Sequence, residues 1–229
     1  MPGLPLAAPR DAEELYLARG DDVPLARPLL PGDVLTNVDL DFDDHDGLVM
    51  VVAHPCAMRG RNGILVPRIT VAPVRAHDAV RFDKWPDGHY RVLPLLQLHA
   101  DDDSVGRAVH LLELSAARSE RLDRAKRILA LTDHGVHILQ QRLVHSLTRV
   151  VVGLDQLQEQ SSHVLLEAEL EEEWVGELAG EDGPELEQGS TAFAQFMDEG
   201  HRAALLDATR RTDTVRTVRA EIKRRKLAS

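Results

Sequence analysis

The stretch Leu48–Val74, LVMVVAHPCAMRGRNGILVPRITVAPV, constrains the fold of this chain more than any other segment. Val and Ile dominate its two ends, Leu48–Ala53 and Ile64–Val74. β-Branched residues suit a pleated, packed surface better than a helix. The sequence therefore predicts two buried strands joined by a loop that contains Pro55-Cys56 and Arg59-Gly60-Arg61.

Further short strands are indicated on both sides of this stretch. Asp33–Phe42 alternates apolar and acidic residues from Val38 onward, and Asp43–Gly47 is then a turn typical of a hairpin. Val80–Phe82 and Tyr90–Leu96 flank a Trp-Pro-Asp-Gly turn. Five or six short strands, mostly joined by hairpins, predict a small closed or nearly closed barrel over residues 32–100.

Residues 1–31 are rich in proline, which fixes φ and removes a hydrogen-bond donor. We expect an arm and linker here, with one short helix at Asp11–Ala18 that Asp11 can cap.

The hydrophobic period changes after the barrel. Residues 101–175 are expected to be helical, with one helix over Ala116–Leu131 and a long helix after the break at Thr132–Gly135. The long helix carries an a/d seam that predicts association with a second copy or a protein partner. The seam consists of Leu143, Leu147, Val150, Leu154 and Leu157.

Charge is distributed unevenly along the last third of the chain. Residues 176–190 are predicted to be an acidic linker, and residues 191–229 two helices with Val215, Val218 and Ile222 on one face of the last. The basic end could contact the phosphates of a nucleic acid, a partner protein or the chain's own acidic stretch, Glu167–Glu187. Its candidate binding residues are Arg210, Arg211, Arg216, Arg219, Lys223, Arg224 and Arg225.

Composition excludes several classes of protein. The net charge of −11 argues against nonspecific nucleic-acid binding by the whole surface. A single cysteine excludes an intrachain disulfide and a multi-cysteine zinc site. No run approaches the roughly 20 apolar residues that cross a bilayer, and the N-terminus does not resemble a secretory signal. We expect a cytoplasmic protein that does not contact membranes.

Two clusters of possible metal ligands do not match known sites, so no metal or cofactor is expected. The acidic stretch Asp39–Gly47 has Asp44 and Met50 where an EF-hand loop requires glycine and glutamate. His137, Gln141 and His145 share one helix face but lack a third zinc ligand.

Four short motifs resemble the MazF/PemK/Kid family of growth-inhibiting endoribonucleases. They are Gly32-Asp33-Val34-Leu35, Leu48–His54, Arg59-Gly60-Arg61-Asn62 and Val71-Ala72-Pro73-Val74. The resemblance implies that residues 32–100 form an SH3-like barrel. It also suggests a toxin–antitoxin or phage-defence setting.

The catalytic residues are less similar to the family's. Family enzymes use an Arg with an acid or His to cleave RNA, so the resemblance implies Arg59, Arg61 or Arg75 with His54 or His77. The family has Ser or Thr after the Ala-Pro-containing turn, where this chain has Val74 and Arg75.

Cys56 offers a separate hypothesis. Arg59 and Arg61 lie nearby, and positive neighbours lower the pKa of a thiol, while His54 could serve as its base. A buried structural cysteine at the end of a strand is the alternative.

Together these patterns predict an α+β protein: an N-terminal SH3-like β-barrel followed by a helical extension with a long helix. The first functional hypothesis is a non-enzymatic binding or accessory module that acts through protein or nucleic-acid contacts. The alternatives are a MazF-like endoribonuclease with a displaced active site and an enzyme that depends on Cys56.

Overall fold

The computed structural model describes residues 5–40, 47–60, 64–96, 98, 106–180 and 182–228. The fold is α+β, with a curled antiparallel sheet and several helices. The strands are β1 (Tyr16–Arg19), β2 (Val34–Leu35), β3 (Val49–Val51), β4 (Arg68–Ala76), β5 (Val92–Leu95), β6 (Arg107–His110), β7 (Ser115–Arg118) and β8 (Arg127–Leu131).

The sheet follows the order β1-β8-β2-β3-β4-β6-β5. β2, β3 and β4 are consecutive antiparallel neighbours, and the β3–β4 pair lies in the valine-rich stretch as predicted. β2 is only Val34–Leu35 and does not include the alternating residues Val38 and Leu40. Besides β3, two further strands pair with β4. The C-terminal part of β4 pairs with β6, and its N-terminal part pairs with β7. β4 is therefore the strand on which the two halves of the sheet meet.

The helices are α1 (Ala12–Leu15), α2 (Pro55–Met58), α3 (Asp133–Thr148), α4 (Leu154–Leu178), α5 (Gly183–Phe196), α6 (Arg202–Leu206) and α7 (Arg211–Lys226). Among the helices described, none combines the length and apolar character that crossing a membrane requires.

The proline-rich arm contributes to the sheet. Asp11 caps α1 by accepting a hydrogen bond from the backbone N–H of Glu14 at 2.9 Å, which confirms the predicted cap. The chain then passes directly into β1, which pairs with β8. The arm is thus more ordered than proline content alone suggests.

The helix predicted over Ala116–Leu131 is wrong, because this stretch contains β7 and β8. Its Ala, Arg, Leu and Lys residues favour helices intrinsically. β8, however, lies between β1 and β2 and pairs with both, so long-range pairing overrides the local preference.

The hairpin predicted around the Trp-Pro-Asp-Gly turn is also wrong. Phe82–Asp87 forms a 3₁₀ helix, and β5 begins at Val92. The acidic turn at Asp43–Gly47 lies largely outside the described residues.

The long helix with a leucine seam is two helices. Arg149 adopts a left-handed conformation and ends α3, and α4 begins at Leu154. Leu143 and Leu154 pack against the core, whereas Leu147 and Val150 are each 57% exposed. The seam residues therefore do not form one continuous face.

The linker predicted at residues 176–190 is mostly helical. α4 continues to Leu178, and α5 begins at Gly183, where Asp182 accepts a hydrogen bond from Glu185 N–H. After residue 191 the chain contains the end of α5, then α6 and α7, rather than the two helices predicted. Val218 and Ile222 are buried on one face of the last helix, as expected.

The chain divides into two compact units. Unit 1 comprises Met1–Val23, Leu29–His54 and Pro67–Gln160, and unit 2 comprises Pro24–Pro28, Pro55–Val66 and Ser161–Ser229. Unit 1 contains the sheet and α3, around a core that includes Trp85. Unit 2 has its own helical core, around Trp174 and Phe193.

A buried ion pair joins two strands of unit 1. Asp33, just before β2, accepts a hydrogen bond from Nη1 of Arg127 on β8 at 2.8 Å, and both side chains are almost fully buried. The same carboxylate accepts a hydrogen bond from Leu30 N–H at 2.9 Å. Burying the two charges is tolerated because each neutralises the other.

Candidate functional site

A surface pocket of about 440 Å³ lies in unit 1, where β4, the start of β5 and the end of α3 come together. Its described lining residues, which we call the cationic pocket, are His77, His89, Tyr90, Arg91, Val92 and Arg149. Volumes of this size are typical of small-ligand sites.

His77 directly follows β4 and is fixed by a close backbone contact. Its N–H donates to the carbonyl of Gly106 at 2.9 Å. A Cβ on Gly106 would lie 2.5 Å from the carbonyl oxygen of His77, so a larger residue cannot occupy this position without moving the backbone. His77 Nδ1 lies 2.8 Å from the carbonyl oxygen of Asp78. When Nδ1 carries the proton of the neutral ring and donates it to this oxygen, Nε2 can accept a hydrogen bond.

His89, Tyr90 and Arg91 form the opposite wall, immediately before β5. Trp85, which is fully buried and donates its indole N–H to Val80, anchors the preceding 3₁₀ helix. His89 has a φ of +61°, a left-handed conformation that turns the chain towards β5. Tyr90 is 46% exposed and rests against His145, with ring centroids 5.5 Å apart.

Arg149 comes from the C-terminal end of α3. It has a φ of +63°, and its N–H caps the helix by donating to His145 at 2.8 Å. Three described non-glycine residues have a positive φ: Asn37, His89 and Arg149. Two of them, His89 and Arg149, line this pocket. Such conformations are costly and concentrate at functional sites.

The positive charge of the pocket comes from Arg91 and Arg149. None of the described lining residues carries a carboxylate. No carboxylate of the described residues lies within 4 Å of Arg91 or Arg149. The rings of His77 and His89 lie edge to face, with centroids 5.9 Å apart. The arrangement favours a negatively charged ligand that also offers a flat surface to Tyr90.

Arg75 shares the outer face of β4 with His77 by strand alternation. Its Nη1 binds Glu113 at 2.7 Å, and the other oxygen of Glu113 lies 3.1 Å from Nδ1 of His110. The charge of Arg75 is thus already paired.

The remaining residues suggested by the endoribonuclease resemblance do not all belong to the same compact unit. His54 belongs to unit 1, whereas Arg59 belongs to unit 2 and forms an isolated bridge with Leu65. Arg61 lies outside the described residues.

Cys56 lies on α2 in unit 2 and is exposed, so the alternative of a buried cysteine at the end of a strand is wrong. Partial burial still raises the pKa of its thiol, and the carboxylate of Glu167 raises it further. This environment disfavours the thiolate, which is the form that acts as a nucleophile.

The basic end of the chain is largely neutralised within unit 2. On α7, Arg219 donates to Glu173 at 2.8 Å, and Arg224 and Arg225 both donate to Glu221. Lys226 binds Glu177. The acidic stretch and the basic helix therefore attract each other within the molecule, which is one of the alternatives raised by the sequence.

The other basic residues near α7 do not form a shared patch. Arg216 pairs with Asp213, and Arg211 donates to the carbonyl of Leu205 and the hydroxyl of Ser162. Arg210 and Lys223, near opposite ends of α7, have no carboxylate within 4 Å among the described residues.

The polar face of α3 has structural contacts. His137 is buried, which lowers its pKa, and Gln141 accepts from Ala7 N–H at 2.6 Å and donates to Val152 at 2.7 Å. Within the described part of the chain, no three His, Cys, Asp or Glu residues are grouped so as to hold a metal ion.

The sequence identified His77 as a candidate and missed His89, Tyr90, Arg91 and Arg149. The tripeptide His89-Tyr90-Arg91, an aromatic residue between two basic ones after a tight turn, was the available signal. Arg149 had no such signal, because its position depends on where α3 ends.

Compared with family models and with curated proteins, the chain matches none of them. The geometry of the pocket therefore carries the functional reasoning.

Proposed function

We propose that this protein is a binding module that holds single-stranded nucleic acid in the cationic pocket of unit 1. One observation carries the proposal: two guanidinium groups, two imidazoles and an exposed tyrosine line the same pocket, with no carboxylate among the described lining residues.

Each group has a role in such a ligand. The planar guanidinium groups of Arg91 and Arg149 can bind phosphate oxygens in a bidentate manner. Tyr90 offers a face on which a base can stack, and stacking contributes about 1–3 kcal/mol per base. Nε2 of His77 can accept a hydrogen bond from a 2′-hydroxyl group, and the ring of His89 can donate one to a phosphate oxygen.

The net charge of −11 opposes this binding over long distances. Local contacts must therefore supply the affinity, and we expect binding to be weak and strongly dependent on salt. This distinguishes the pocket from the broad basic surface of a nonspecific nucleic-acid-binding protein.

The test is fluorescence anisotropy with a labelled RNA of about 10 nucleotides, within the usual site size of single-strand binders. The wild-type protein is compared with the double variant Arg91→Gln/Arg149→Gln. Losing two phosphate contacts should weaken binding at least tenfold and reduce the salt slope by about 1.4.

The matched control is Arg10→Gln/Arg118→Gln, which removes the same charge from exposed residues that pair with Glu14 and Glu120. Equal losses in the two double variants would show that net charge, rather than the pocket, determines binding. Absence of binding by the wild-type protein would refute the proposal.

We also propose that the curled sheet is related to SH3-like barrels of the MazF/PemK/Kid type. The support is that the three strands bearing the resembling motifs, β2, β3 and β4, are consecutive antiparallel neighbours. A toxin–antitoxin or phage-defence setting follows from this relation alone and remains a prediction.

A second candidate function is RNA cleavage at the same pocket, favoured by the adjacent rings of His77 and His89. One imidazole would remove the 2′-hydroxyl proton, and the resulting oxygen would attack phosphorus. The other, protonated, would donate its proton to the departing 5′-oxygen, while Arg91 and Arg149 stabilise the phosphorane. The products would be a 2′,3′-cyclic phosphate and a 5′-hydroxyl end.

Mass spectrometry of an incubated oligoribonucleotide would detect the cyclic phosphate. We expect His77→Ala and His89→Ala each to abolish the product while RNA still binds. Binding without any cyclic phosphate from the wild-type protein would leave the non-enzymatic module as the function.

A further inference from the structure

Arg142, on α3, is one of the largest fully buried side chains and is 1% exposed. Its Nη1 donates to the carbonyl of His89 at 3.2 Å, and its Nη2 donates to the carbonyl of Ala7 at 3.3 Å. The guanidinium lies over the ring of Trp85, 4.8 Å from the centroid. All of these partners are neutral.

The charge of Arg142 has no counter-ion in the described part of the chain. No described carboxylate lies within 4 Å, and Nε is buried without a hydrogen-bond partner. Burial lowers the pKa of Arg142 to about 10, which still leaves it charged at neutral pH. The other buried arginine of unit 1, Arg127, contrasts with it because Asp33 neutralises Arg127.

This charge lies directly behind the cationic pocket. The carbonyl that Arg142 binds belongs to His89, a lining residue that directly precedes Tyr90 and Arg91 of the same wall. In a poorly polarisable interior, a charge acts over a longer distance and is screened less by salt than at the surface.

The pocket therefore combines Arg91 and Arg149 at its wall with Arg142 behind it. An internal phosphodiester carries one negative charge, whereas a terminal phosphate monoester carries about 1.5 to 2 at pH 7. The larger negative charge of a monoester therefore balances Arg91, Arg149 and Arg142 better than the single charge of an internal phosphodiester does.

We infer that the pocket selects a terminal phosphate monoester and that Arg142, as a positioning residue with a buried charge, provides this preference. The inference rests on the proposed nucleic-acid binding. Arg142 also fixes the backbone of His89 through its hydrogen bond, so both its charge and its geometry act on the same wall.

The test measures the affinity of the full-length protein for three RNAs of one sequence with an internal label. One bears a 5′-monophosphate, one a 3′-monophosphate, and one hydroxyl groups at both ends. We expect one phosphorylated RNA to bind at least about tenfold more tightly than the hydroxyl RNA, since hydrogen bonds between charged groups are strong. The phosphorylated end that binds identifies the source of the monoester.

Arg142→Gln removes both the charge and the guanidinium contacts, whereas Arg142→Lys keeps a charge but loses the planar fork that binds the carbonyls of His89 and Ala7. We expect Arg142→Gln to lose the preference for phosphate and Arg142→Lys to retain it, because only the lysine keeps a positive charge at this position. A merely structural role would weaken all three complexes equally, and that result would overturn the role of Arg142. Circular dichroism and thermal unfolding establish whether each variant folds.

A wild-type measurement tests the buried charge even if Arg142→Gln does not fold. Between about 50 and about 300 mM salt, the ratio of the two affinities should persist, because salt screens buried charges poorly. A ratio that falls to one at high salt would overturn the inference. Equal affinity for all three RNAs would overturn it while leaving nucleic-acid binding intact, and no binding to any of them would refute both.

Discussion

Two basic regions of this molecule have opposite electrostatic surroundings. The helix α7 carries the densest run of Arg and Lys, yet Arg219, Arg224 and Arg225 all bind carboxylates of unit 2. The cationic pocket of unit 1 has fewer charges, and Arg91 and Arg149 have no carboxylate within 4 Å among the described residues. The number of basic residues in a region therefore does not show how many of them have a carboxylate nearby.

The largest expected effect concerns a cation that is both paired and buried. Arg127→Met should leave the Asp33 carboxylate buried without its partner, which typically costs about 3–5 kcal/mol. Urea denaturation measures the free energy of unfolding. Arg91 is exposed and has no carboxylate within 4 Å in the described part of the chain, so Arg91→Gln should change the free energy of unfolding by less than about 0.5 kcal/mol.

If Arg127→Met and Arg91→Gln lower the free energy of unfolding by similar amounts, the two arginines do not differ in their contribution to the fold, and the comparison is wrong.

The next effect tests the shape of the pocket without changing its charge. In Gly106→Ala, the new Cβ would approach the carbonyl oxygen of His77 to 2.5 Å, so the backbone must move. We expect a loss of about 1–3 kcal/mol in stability, together with weaker RNA binding. Gly88→Ala is the matched control, because nothing lies within 4 Å of its Cβ position.

Unchanged RNA affinity in a destabilised Gly106→Ala protein would mean that the position of His77 does not matter for binding.

A smaller effect concerns the paired cations of α7. Arg219→Gln removes an exposed bidentate contact with Glu173, and exposed ion pairs contribute about 0–1 kcal/mol. Thermal unfolding should therefore change little, and RNA affinity should remain within about twofold of wild type. A tenfold loss of affinity would place the nucleic-acid site on α7, where the sequence first suggested it.

The smallest effect is a dependence on pH. Hydrogen bonds from Arg224 and Arg225 lower the pKa of Glu221 to about 2, below its ordinary value of 4.5. The stabilisation from this carboxylate is complete above the ordinary pKa and disappears as pH falls towards 2. Melting temperatures measured over this range should fall less steeply in Glu221→Gln than in wild type, and parallel curves would contradict the assignment.

Local sequence signals predicted local structure well. The Asp11 cap, the valine-rich strands β3 and β4 and the buried face of α7 all depend on residues close together in the chain. β8 was mistaken for a helix because its strand identity depends on pairing with β1 and β2, far away in sequence.

The pocket was harder to predict for the same reason. It joins the end of β4, the turn before β5 and the last residue of α3, and the conformations of His89 and Arg149 are not encoded in residue type. The buried charge of Arg142 was equally hidden, because arginine in a helix is usually exposed.

A direct comparison of the two basic regions tests the central claim. The affinity of a 5′- or 3′-phosphorylated RNA is measured at one salt concentration for wild type, Arg91→Gln/Arg149→Gln and Arg219→Gln/Arg224→Gln. These double variants remove equal charge from the pocket and from α7. We predict a loss of at least about tenfold for the pocket variant and less than about twofold for the helix variant. The reverse order would contradict the account.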